Sequence, residues 1–138
     1  MQTEMRKLII IFTALLMGSI ALEAQNLPKE LVKALAEGDA GTLSEYFHQS
    51  LEITILKKEY MSSRSQASRI MQNFFKDHPP SSFTVSFEGN KENSRYAIGK
   101  LHTEKGDFRV NLFFMTRNRM DLIYFMSIEK ESTYELHP

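Results

Sequence analysis

The run Ser63-Arg64-Ser65-Gln66-Ala67-Ser68-Arg69-Ile70-Met71-Gln72-Asn73-Phe74-Phe75-Lys76-Asp77-His78-Pro79-Pro80 decides how the rest of the chain is read. Ser63 and Gln66 have capping-box spacing, so the hydroxyl and the amide can each satisfy a backbone N–H that the first helical turn leaves without a partner. Ala67, Ile70, Met71, Phe74 and Phe75 then fall at i, i+3, i+4, i+7 and i+8, a single apolar stripe. His78 precedes two prolines, and a residue before proline is pushed out of the helical region. The segment therefore reads as a helix begun at Ser63, stopped at His78 and apolar on one face. Burying its four large side chains is worth about 1.5–3 kcal/mol each, which is large beside a total stability of about 5–15 kcal/mol. This helix is expected to clamp the core.

Downstream the period changes from 3.6 to 2. Phe83, Val85 and Phe87 alternate with Thr84 and Ser86, and further strands are predicted over 95–103, 108–117 and 121–129. Gly89-Asn90, Lys105-Gly106 and Asn118 mark the turns, and turns this short join antiparallel neighbours into a meander. Upstream, Leu27, Leu31, Ala34 and Leu35 share a helical face, and Pro28 suits the first turn. Gly38 is the natural stop, because glycine takes the left-handed conformation without steric cost. Asp39 can cap a second helix carrying Leu43, Tyr46 and Phe47. Gly38-Asp39-Ala40-Gly41-Thr42 lacks the Gly-Lys-Ser/Thr ending and the preceding strand of a phosphate loop, and reads as an inter-helix turn. Leu51-Glu52-Ile53-Thr54-Ile55 alternates as a half-buried strand, with a short strand after it. The order αα-β-β-α-ββββ makes the fold class α+β, three helices packed on one curved antiparallel sheet.

The first 24 residues read as an export address. Arg6 and Lys7 give a charged head, Leu8 to Met17 an apolar run, and Ala21-Leu22-Glu23-Ala24 a small-residue cleavage context ahead of Gln25. The run is well short of the ~20 apolar residues that span a bilayer. We therefore expect a signal peptide cleaved near Ala24, a domain over 25–130 and a flexible tail over 131–138. The mature protein is expected to act in the periplasm or outside the cell, with no stable membrane insertion. The chain has 17 basic and 17 acidic residues, and the bases are interleaved with acids, as in Lys29-Glu30 and Lys91-Glu92. No stripe builds the potential that nucleic acid needs, so no nucleic-acid partner is expected. Cysteine is absent, which excludes disulfides, thiolate catalysis and Cys-based metal sites.

The element order, with Glu37-Gly38-Asp39 between the first helices and a capped helix running into four strands, resembles the nuclear transport factor 2-like superfamily. This cone-shaped α+β fold is shared with ketosteroid isomerase, scytalone dehydratase and limonene epoxide hydrolase. Ala67 to Phe83, Tyr96-Ala97-Ile98-Gly99-Lys100-Leu101 and Gly106-Asp107-Phe108-Arg109-Val110 resemble, more closely, an uncharacterised family of small exported bacterial proteins placed in that superfamily. The resemblance implies the fold and no particular activity, since fold alone does not confer function. It also implies that dimerisation through the sheet is common.

Enzymes of the superfamily place acid–base groups inside the cone; ketosteroid isomerase uses an aspartate base beside a tyrosine and a protonated aspartate. Here Asp39 reads as a cap, Asp77 as a helix end, Asp107 and Asp121 as turn flanks, and Glu52 should face water. No carboxylate is placed to be a buried general base. No two histidines have the spacing of a local metal site, so neither metal nor cofactor is expected. His78 and His137 read as surface residues; His48 and His102 are the acid–base candidates, the latter sharing parity with Glu104. Tyr46, Phe74, Tyr96 and Tyr124 are candidates to line an apolar pocket, with the tyrosine hydroxyls as handles. In the last two strands both parities are apolar, unlike a sheet with one wet face. Phe113, Met115, Ile123 and Phe125 are the candidates for a homodimer interface. The expected function is non-catalytic, either binding of a small apolar ligand or service as a homodimeric interaction module. The alternative is a metal-free acid–base enzyme of isomerase, dehydratase or hydrolase type.

Overall fold

A computed structural model of the chain describes residues 27–132. Two short helices, α1 (Lys29–Glu37) and α2 (Ala40–Ser44), lead into a hairpin of β1 (Phe47–Ile55) and β2 (Lys58–Ser63). The long helix α3 (Arg64–Asp77) follows, and then the meander β3 (Pro80–Lys91), β4 (Ser94–Thr103), β5 (Gly106–Arg117) and β6 (Met120–Lys130). All six strands form one sheet in the order β2-β1-β6-β5-β4-β3. Every pairing is antiparallel except that of β1 with β6, which is parallel. That exception follows from connectivity: β1 reaches β6 only through α3 and the whole meander, a crossover rather than a turn. The leader at 1–24 with its cleavage point, and the tail beyond Ser132, lie outside the described residues.

The local chemistry works largely as the residues dictate. Ser63 accepts from the Gln66 backbone N–H at 3.2 Å while the Gln66 side chain accepts from the Ser63 N–H at 3.0 Å, completing the capping box. Gly38 ends α1 with φ +71°, a conformation costly for residues with a Cβ. The Asp39 carboxylate accepts from the Thr42 N–H and hydroxyl, and these bonds hold its pKa below the usual carboxylate value. The second helix stops at Ser44, so Phe47 begins β1 instead of extending α2.

The inner face of the sheet and the apolar stripes of α1 and α3 share one core. Leu31, Leu35, Leu43, Phe47, Met71, Leu112, Phe114 and Met126 are among its fully buried side chains. Between α3 and β5 the Phe74 and Phe108 rings meet edge to face, centroids 5.3 Å apart, so the cone is filled at that level.

Two bulges set which side chains are inside. In β3, Val85 pairs with Gly99 and Phe87 with Ile98, leaving Ser86 without a partner. In β6, Phe125 pairs with Phe113 and Ile123 with Phe114, leaving Tyr124 without one. Each extra residue inverts the alternation beyond it. Phe87, expected inside with Phe83 and Val85, is instead 51% exposed on the outer face. Glu88 turns inward and accepts from the Leu27 N–H at 2.9 Å, with Arg95 at 3.4 Å. Asp121 lies on the other side of that guanidinium, also at 3.4 Å. Ile123, expected on the outer face, is completely buried in the core.

Candidate functional site

At one end of the cone the β1–β2 hairpin stands away from the last two turns of α3, opening a cleft of about 390 Å³. Ile55, Leu56, Lys58 and Tyr60 line it from the hairpin; Ile70, Asn73, Phe74, Asp77 and His78 line it from α3 and its C-cap. Ile70, Ile55 and Phe74 give it an apolar floor, and Lys58 and Asp77 are exposed at the rim. Its size lies toward the small end of ligand pockets, which run from ~300 to ~1,000 Å³.

His78 is the best-fixed polar group there. Pro79 drives it out of the helix, and its backbone, at φ −133° and ψ 74°, turns the ring back over the last turn. The ring stacks on Phe74 at 4.5 Å and meets Phe108 edge-on at 5.1 Å. Its Nδ1 lies 3.1 Å from the Phe74 carbonyl oxygen, which also accepts the His78 backbone N–H at 2.8 Å. A carbonyl only accepts, so Nδ1 carries the proton in the neutral ring and Nε2 is left with a lone pair. His78, read from the sequence as a surface residue, does reach the surface in the cleft but is half-buried there by its ring contacts. The signal in the sequence was its position four residues after Phe74, one turn along the same stripe.

A second surface lies on the far side of the sheet. Phe87, Tyr96, Phe113 and Phe125, from four successive strands, form a continuous row of rings with centroid separations of 5.5, 6.0 and 5.4 Å. Tyr124 leans on Phe113 at 6.5 Å. Tyr96 also covers Gly89, where any Cβ would come within 2.5 Å of its ring. Met115, paired with Leu122, continues the apolar area toward the Asn118 turn. Toward the Gly106 turn the same face becomes polar, with Lys100, the ion pair Arg109–Glu129 at 2.6 Å, and His102 bonded through Nδ1 to Asp107 at 2.6 Å. Glu129 holds the Arg109 pKa above its usual value.

The pocket-lining candidates are therefore split. Phe74 lines the cleft. Tyr96 and Tyr124 are on the opposite side of the sheet, because their strands present them outward. Tyr46 is half-buried against the core after α2, its hydroxyl pKa raised by burial and by Glu30 and Glu45. Neither acid–base candidate lines the cleft: His102 faces outward and pairs with Asp107 instead of Glu104, and His48 makes a local contact with Ser50. Of the interface candidates, Phe113, Met115 and Phe125 share the outer face, and Ile123 does not. Among the described residues no group of three or more His, Asp or Glu side chains is placed to hold a metal ion, and no helix is long and apolar enough to cross a membrane.

Three helices on one curved sheet, with a cleft at the end of the cone, place the protein among the α+β folds of nuclear transport factor 2-like type. The family model described as "Domain of unknown function (DUF4783)" matches residues 28–129, and the chain belongs to that family. It is similar to a DUF4783 protein of Bacteroides uniformis, at 31% identity and TM-score 0.73, over 78% of this chain and 99% of that one. A Bacteroides ovatus member is 28% identical with TM-score 0.75, over 79% and 99% of the two chains. A nuclear transport factor 2-like protein of unknown function from Shewanella baltica shares the fold at 9% identity, TM-score 0.60, over 75% and 87%. No functionally curated protein matches the chain.

Proposed function

We propose that the protein is an exported, non-catalytic module that works as a homodimer joined through the outer face of its sheet. The observation carrying this reading is the row Phe87–Tyr96–Phe113–Phe125 across four neighbouring strands, with Phe87 and Phe113 exposed and Tyr96 and Phe125 half-buried. Contiguous apolar area of this kind on a soluble domain marks an interaction surface. The polar half of the same face, around Lys100 and the Arg109–Glu129 pair, confines the contact to one end. Export rests on the leader sequence. The test is native mass spectrometry of residues 25–138. A dimer supports the proposal; a monomer at high micromolar concentration refutes it.

A second reading is favoured by a separate observation. The cleft at the end of the cone combines an apolar floor with one rigid polar atom, and supports reversible binding of a small apolar ligand. The acid–base alternative is weaker, since His48 and His102 both lie away from the cleft.

A further inference from the structure

His78 lines the cleft, and the fold fixes the hydrogen-bonding roles of its ring nitrogens. The His78 Nδ1–H is committed to the Phe74 carbonyl, and turning the ring over within its stack on Phe74 and Phe108 would give up that bond. The flip would set Cδ2–H, a far weaker donor, against the carbonyl in place of Nδ1–H. Among the described residues nothing bonds to Nε2, so in the neutral ring it presents an acceptor and no donor. Lys58 and Asp77 are exposed at the rim, where water satisfies either charge, and they discriminate little. Of the remaining walls, Ile55, Leu56, Ile70 and Phe74 are apolar, while the exposed Tyr60 and Asn73 carry a hydroxyl and an amide.

We infer that the cleft selects a small ring-bearing apolar molecule carrying one hydrogen-bond donor, the class of the simple phenols, and that His78 Nε2 is the acceptor that recognises it. This rests on the ligand-binding reading of the cleft and specifies its chemistry. An ether or a hydrocarbon of the same shape fills the same apolar space but leaves Nε2 without its water or any replacement, so it binds less well.

The experiment is an NMR titration of the isotope-labelled protein with p-cresol, 4-methylanisole and toluene, following backbone amides and the ring nitrogens of His78. The expected result is shifts at Ile70, Asn73 and His78 for all three, with p-cresol binding about three- to tenfold more tightly than 4-methylanisole. The Nε2 resonance moves only with p-cresol. His78→Phe keeps the ring stack and brings p-cresol down to the affinity of 4-methylanisole. Equal affinities in the unaltered protein, with cleft shifts present, overturn the acceptor role and leave the cleft reading standing. No cleft shift with any of the three overturns both.

Discussion

Leu56 and Lys57 join β1 to β2 with φ values of 48° and 76°. Positive φ at both positions of a two-residue hairpin loop is the type I′ geometry, which Asn-Gly adopts readily and which strains a branched or long side chain. The turn sits at the rim of the cleft and carries Leu56, 43% exposed, as part of the lining. Strain held at such a place is a candidate for function, because a more relaxed pair was available. Lys57→Gly removes one left-handed Cβ without touching the cleft floor. It should stabilise the fold by about 0.5–1 kcal/mol, the relief of strain less the greater chain entropy of glycine. Calorimetry should show a rise in Tm of about 2–6 °C; a fall would mean that the lysine stem makes a packing contribution larger than the strain.

At the scale of elements, the two helix caps give contrasting tests. Ser63→Ala removes the hydroxyl half of the capping box and should cost about 1 kcal/mol in urea denaturation. Asp39 is a charged cap with a lowered pKa, so its ionised form is favoured in the folded state. Its contribution is fully present above the unfolded-state value and is lost as pH falls through the lower folded-state value. Asn at this position caps without charge. Asp39→Asn should therefore be the less stable protein at pH 7, and the difference should shrink below about pH 4. Both caps were legible in the sequence, as were the α3 stripe and the meander, because each is written within a few neighbouring residues. The faces of β3 and β6 were not. Alternation assumes an uninterrupted pleat, and the bulges at Ser86 and Tyr124 each insert one residue with no compositional mark. One bulge turned Phe87 out and Glu88 in; the other turned Ile123 in and left Phe125 out. The parallel β1–β6 pairing was hidden for a different reason, since it joins segments some seventy residues apart. The cleft was legible only in part: Phe74 was visible on its stripe, whereas Tyr60 and His78 become neighbours through the return of the β1–β2 hairpin.

For the whole molecule, the Tyr124 bulge separates two residues that a strict alternation puts together. Phe113 is 37% exposed in the middle of the aromatic row, and Ile123 is fully buried beneath the sheet, although Ile123 pairs with Phe114, the residue next to Phe113. A glutamate at each site asks different questions of the same sheet. In Phe113→Glu the carboxylate reaches water in the monomer, so folding survives with a small loss of ring packing against Tyr96 and Phe125. In a dimer built on this face it would be desolvated between two apolar surfaces, and near a two-fold axis would meet its own copy, which costs several kcal/mol. Sedimentation velocity should find a folded monomer. Ile123→Glu places the charge in the core with no partner, exceeding the few kcal/mol that separate folded from unfolded chains of this size. That variant should be recovered unfolded or aggregated. A Phe113→Glu protein that still dimerises, with native circular dichroism, would move the interface off the aromatic row and leave those rings for a partner of another kind.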